Sequence, residues 1–158
     1  MKRLVMLLFL AVFALSLPRP AAAKRPVADV ESLQAAAVRD FEEMLDLWRA
    51  GNYGELYNRT LISGKDTRES FSNRMAAAPL KPSCCWEKMQ EVSVSVRSPT
   101  SVVIRARLGL DAPGEMEYKT KSFKLNLEDG RWRIARSEIL SIAEAKKAKG
   151  SRKHRPTH

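Results

Sequence analysis

Cys84 and Cys85 are the only cysteines in the chain, and they are adjacent. Neighbours cannot bridge distant segments for each other, so three states are open: a vicinal disulfide, bonds to another chain, or free thiols packed as small apolar groups. The vicinal bridge would set a rigid kink beside Trp86. The only histidines, His154 and His158, lie at the extreme C-terminus. The body of the chain therefore has no histidine base, no histidine-oriented nucleophile and no histidine-ligated metal site. It also has no glycine-rich phosphate loop. No metal set and no cofactor is implied. Acid–base chemistry would fall to tyrosine and carboxylate groups.

Three tyrosines, Tyr53, Tyr57 and Tyr118, are candidates to line a pocket, against the plainer role of packing with the hydroxyl in water. Gln34 interrupts an apolar helical stripe. A buried amide needs partners, so Gln34 either orients a ligand or bonds backbone or solvent near the helix start. Asp40 and Glu42 fall on the flanks of that stripe, where a charged side chain is expected to be solvated.

The elements that would position these groups follow from two periods. Val30, Leu33, Ala37, Phe41, Met44, Leu45 and Trp48 recur at three- and four-residue steps, which predicts a helix from Asp29 to Gly51. Asn52 to Tyr57 reads as a short second helix, and Thr67 caps a third that points Phe71 and Met75 inward and ends before Pro79. After Trp86 the period becomes two. Val92, Val94 and Val96 form one strand face, and Val102, Ile104, Ala106, Leu108 and Leu110 form the next. In the third strand Met116 and Tyr118 are apolar at even positions, but Phe123, Leu125 and Leu127 at odd ones. A strand cannot change its core face without an extra residue, which predicts a β-bulge between Lys119 and Ser122. Glu128-Asp129-Gly130 makes a tight hairpin into a fourth strand holding Trp132 and Ile134, after which Ile139, Leu140 and Ile142 close the core. The expected fold class is α+β: N-terminal helices on a curled, bulged antiparallel sheet of about four strands, a cone-like roll.

Outward strand positions include Arg105, Arg107, Lys124, Arg131 and Arg133, candidates to contact an anionic ligand, glycan or lipid headgroup. The alternatives are a solvated face or the face of a homodimer. The formal net charge of +10 looks like a nucleic-acid binder until it is located. Nine of the 28 basic residues fall before Lys24 or after Ala145, which leaves 19 against 18 acids in between. Only the segment 146–158 is strongly basic; it reads as a disordered tail able to touch an anionic surface. A nucleic-acid partner is disfavoured, because base-stacking aromatics are missing from the basic face.

Residues 1–23 have the three parts of a secretory signal: Lys2-Arg3, the apolar run Leu4 to Leu17, and Ala21-Ala22-Ala23 as a cleavage site. The 14-residue run spans roughly 21 Å as a helix, short of the ~30 Å hydrocarbon core, so cleavage is expected rather than a retained anchor. The chain is then periplasmic or secreted, with no transmembrane segment left after cleavage. Residues 24–28 form a mobile lead-in, and 29–145 a single domain.

The segments "FEEMLDLWRAGNYGELYNRT", a long helix running into a short one, and "KSFKLNLEDGRWRIARSEIL", a terminal hairpin, resemble the nuclear transport factor two-like superfamily, also called cystatin-like or ketosteroid isomerase-like. The resemblance spans Asp29 to Ile142. It implies a cone whose mouth opens between the helices and the concave sheet face, in a superfamily that holds both enzymes and non-catalytic binding or dimerisation modules. Ketosteroid isomerase-like members imply a carboxylate base with tyrosine and protonated-acid partners, a set that does not map onto this chain. Three readings follow: an exported non-catalytic module binding a small ligand or protein, a carboxylate/tyrosine enzyme, or an envelope-surface protein using the basic face and tail.

Overall fold

A computed structural model of the chain describes residues 27–61 and 66–144. The export segment 1–23, residues 24–26 and the basic tail 146–158 lie outside them, while Val27 and Ala28, expected in the mobile lead-in, open the first helix instead. Helix α1 runs Val27–Arg49 and α2 Tyr53–Asn58; strand β1 is Thr60–Leu61, helix α3 Arg68–Ala77 and strand β2 Lys81–Pro82. A 3-10 turn at Cys85–Lys88 leads to β3 Gln90–Ser98, β4 Ser101–Ala112, β5 Glu115–Glu128, β6 Arg131–Ala135 and α4 Arg136–Ala143. The six described strands make one curled mixed sheet in the order β1-β6-β5-β4-β2, with β3 also paired to β4. Only β1 and β6 pair in parallel. The fold is α+β, helices packed on a sheet.

α1 forms where the three-and-four spacing puts it, and Ala37, Phe41, Met44, Leu45 and Trp48 are all buried. Its end is a Schellman motif: Gly51, at φ +76°, donates to Trp48 O and Asn52 donates to Leu47 O. The Thr67 hydroxyl oxygen accepts the Ser70 N–H at 3.1 Å, which caps α3 and points Phe71 and Met75 into the core. The inner face of β4, from Val102 to Leu110, is wholly buried at every second residue. Asp129 and Gly130, both at positive φ, close the β5–β6 hairpin with Glu128 opposite Arg131.

Four further details differ from the sequence reading. The ladder between β4 and β5 keeps one register from Ser101↔Asn126 to Ala112↔Glu115, so there is no bulge between Lys119 and Ser122. Met116 and Tyr118 sit on the outer face, each 41% exposed. The irregularity lies in β3, where Glu91 and Val92 together oppose Ala106 and Glu91 takes φ +51°. That extra residue turns Val92 outward, away from the face of Val94 and Val96, and leaves it 40% exposed. The third difference is α4: Ile139, Leu140 and Ile142 reach the core from a helix.

The fourth is Asp40, which is 7% exposed rather than solvated. Its Oδ2 accepts the Trp132 backbone N–H at 2.9 Å, and its Oδ1 lies 3.7 Å from the Arg59 guanidinium. The carboxylate thus ties α1 to the first buried residue of β6. Asp40→Ala would leave the Trp132 N–H buried without a partner, while Arg59 keeps Glu43 Oε2 at 2.7 Å; it is expected to cost about 2 kcal/mol by chemical denaturation. A second steric constraint is Gly109, where an added Cβ would lie 2.5 Å from the Glu87 carbonyl oxygen. Because that neighbour is backbone, Gly109→Ala must push the 83–88 segment off the sheet, lowering stability by about 1–3 kcal/mol in the same measurement.

Candidate functional site

The inner face of β5 is apolar at Leu125 and Phe123, where α1 covers it; the Phe41 and Phe123 rings lie 4.8 Å apart. Beyond Phe123 the same face continues as Lys121, Lys119 and Glu117, and here it is open. These side chains, with Leu108 of β4 and Ser141 and Ile142 of α4, wall a cavity of about 610 Å³. That volume falls within the range of small-molecule sites. Leu108, Phe123 and Ile142 are buried and make the floor.

The polar wall has a definite pairing. Lys119 Nζ lies 3.4 Å from Glu117 Oε2, a same-face neighbour two residues away. Lys121 Nζ donates to Ser141 Oγ at 2.8 Å, and that hydroxyl donates in turn to Glu138 O at 2.7 Å. The Lys121 ammonium also stands 5.8 Å from the centre of the Phe123 ring. The second wall, α4, is held by its first residue. Arg136 is 3% exposed; it donates to Leu61 O at 3.3 Å, Asp66 O at 2.6 Å and Tyr57 Oη at 3.2 Å, with its guanidinium 4.5 Å from the Tyr57 ring centre. Arg136 therefore joins Leu61 and Asp66 to the helix that carries Ser141.

The residues singled out from the sequence fall elsewhere. Gln34 Nε2 donates to Val94 O at 3.1 Å, fastening α1 to β3. Tyr57 donates to Asp66 O and packs on Phe71, and Tyr53 packs half-buried against the core. Tyr118 lies on the outer face with the Arg107 guanidinium 4.2 Å from its ring centre. None of these four is among the cavity walls. The signal that does find the cavity is parity. Glu117, Lys119 and Lys121 share odd positions with Phe123 and Leu125, so a polar stretch on an inward face marks an opening in the core.

The five basic strand residues do not form one uniform patch. Arg105 and Lys124 are exposed on the outer face. Arg107 pairs with Glu91 at 3.5 Å, and Arg133 with Glu128 and Asp129 at 3.9 and 3.8 Å. Arg131 instead walls a separate depression with Asp40, Glu43 and Arg59. Cys84 and Cys85 are joined in a vicinal disulfide, exposed together with Trp86, which is 73% exposed. Intact mass without reductant is expected to be that of a monomer lacking two hydrogens per chain relative to the reduced form.

No group of three or more histidine, cysteine or acidic side chains among the described residues could hold a metal ion. No described helix is long and apolar enough to cross a membrane. The architecture and the cavity define the class: helices on a curled sheet, with a partly polar chamber on the sheet's inner face. No family model and no curated protein matches the chain. Solved structures do match. One, from Xanthomonas campestris and named as a calcium/calmodulin dependent protein kinase II association domain, is 18% identical, with 64% of this chain and 80% of that chain covered and a TM-score of 0.44. At that level of similarity nothing about activity or assembly passes from one protein to the other.

Proposed function

We propose that this chain is an exported, non-catalytic module of the nuclear transport factor two-like superfamily that holds a small ligand in the chamber between β4, β5 and α4. The observation that carries this reading is the cavity of about 610 Å³ with a buried apolar floor. A fold whose helices served only to fill the sheet would have closed it with side chains. Export rests on the three-part pattern of residues 1–23, and superfamily membership on the order of elements from the long helix to the terminal hairpin.

One observation favours an enzyme instead: Glu117 and Lys119 form an ionisable pair inside the chamber. Their side chains keep 37% and 34% of their surface exposed, so any proton transfer there would proceed in contact with water. That is unlike the sequestered surroundings in which enzymes hold reacting groups, and binding is the better-supported reading. An outer-face partner, whether a second copy or an anionic envelope surface, has less support, since Arg107 and Arg133 already have carboxylate partners.

The neutral dye Nile red tests the chamber. Its fluorescence should rise on binding to the native protein and fall back with Ser141→Trp, which places an indole over the opening from an exposed position on α4. An unchanged signal in that variant would put the apolar site elsewhere. The mature N-terminus, read from protein recovered outside the cytoplasm, should be Lys24.

A further inference from the structure

We infer that the ligand of the inner-face chamber is an anionic amphiphile, an apolar body bearing a carboxylate, sulfate or phosphate head, and that the Lys121 ammonium reads that head. The inference rests on the chamber being a ligand site and adds the chemical class of what fills it.

Lys121 is the chamber's uncompensated charge. Of the two lysines in the wall, Lys119 has its carboxylate in Glu117 at 3.4 Å. None of the ion pairs among the described residues includes Lys121. All 18 acidic side chains of the chain fall within the described stretches, so no carboxylate side chain outside them is left to pair with it. Glu138, one turn before Ser141, is half-buried and stays beyond ion-pair reach of Lys121.

The partner that Lys121 does have is a hydroxyl. Ser141 receives one of the ammonium's three donors on its oxygen and gives its own hydrogen to Glu138 O. The hydroxyl thus fixes where Nζ stands without neutralising it, and the remaining donors are free for an incoming acceptor. Below them the floor of Leu108, Phe123 and Ile142 is buried and apolar. A charge above an apolar floor selects a molecule with the same division. An anionic head completes the ammonium's hydrogen bonds while its chain lies in the chamber along the lysine stems and Ile142, above a floor that is already closed. A cationic head meets two lysines and one carboxylate already engaged, and a neutral head gains little from Lys121.

Calorimetric titration of the purified protein with monomeric dodecanoate, dodecanol and dodecyltrimethylammonium, each below its micellar concentration, separates the possibilities. Dodecanoate is expected to bind about tenfold or more tightly than dodecanol, as a charge-assisted hydrogen bond implies, and dodecyltrimethylammonium most weakly. Lys121→Met should bring dodecanoate down to dodecanol and leave dodecanol unchanged. Lys121→Arg should keep the preference, and Lys124→Met, on the outer face, should alter neither. Equal binding of dodecanoate and dodecanol, or a preference that survives Lys121→Met, overturns the anion assignment and leaves the chamber standing. If no probe binds, and Nile red is indifferent to Ser141→Trp, the chamber reading fails as well. Binding confined to vesicles containing phosphatidylglycerol, with no affinity for free dodecanoate, also overturns the inference and makes a bilayer surface the source of the charge.

Discussion

The unbroken register between β4 and β5 is the constraint on which the rest of the structure depends. Twelve residue pairs in sequence face each other without a slip, from Ser101↔Asn126 to Ala112↔Glu115. Because side chains alternate strictly along both strands, that register commits Leu108 and Lys119 to the same face, and likewise Ala106 and Lys121. At one end both strands are apolar on the inner face and α1 covers them; at the other β4 stays apolar and buried while β5 presents Lys121, Lys119 and Glu117. An opening at that end is the direct result.

Three polar ties, two from buried side chains and one from the half-buried Gln34, then position the helices around the opening. Asp40 receives the Trp132 N–H, Gln34 donates to Val94 O, and Arg136 donates to the carbonyls of Leu61 and Asp66. Each joins a helix to a strand or loop far away in sequence. Apolar packing alone is non-directional and would tolerate helices sliding over the sheet. Hydrogen bonds to fixed backbone groups do not. Arg136 matters most for the chamber, because the helix it anchors brings Ser141 to Lys121.

Much of this was legible in the sequence, and what was not has physical reasons. The helical stripe from Ala37 to Trp48, the Thr67 cap, the alternation of β4 and the Asp129-Gly130 turn depend on local spacing and local backbone preference, which a sequence shows directly. The chamber was hidden by an assumption. An inward face that is apolar throughout would take Met116 and Tyr118 inward and need a bulge to do so; the register instead keeps Glu117, Lys119 and Lys121 on the inner face. Asp40 was misplaced for a related reason: its carboxylate is buried because Trp132, 92 residues later, supplies an N–H. No window along the chain contains that partner. Gln34 reads in the sequence as an amide needing a partner, and its Nε2 has one in the Val94 carbonyl, 60 residues away.

The bulge that does exist has a consequence beyond turning Val92 outward. β3 pairs only with β4 in the described sheet, so its other side is an edge with backbone donors and acceptors that no strand takes up, although Gln34 of α1 bonds the Val94 carbonyl. Such an edge is a template for adding a strand from another molecule. The left-handed Glu91 breaks the run near one end, and the second register shift beside Arg97 breaks it near the other. What remains straight is a short, serine-rich stretch with a charge at its margin. The irregularity that spoils the alternation therefore also guards the sheet against edge-to-edge association.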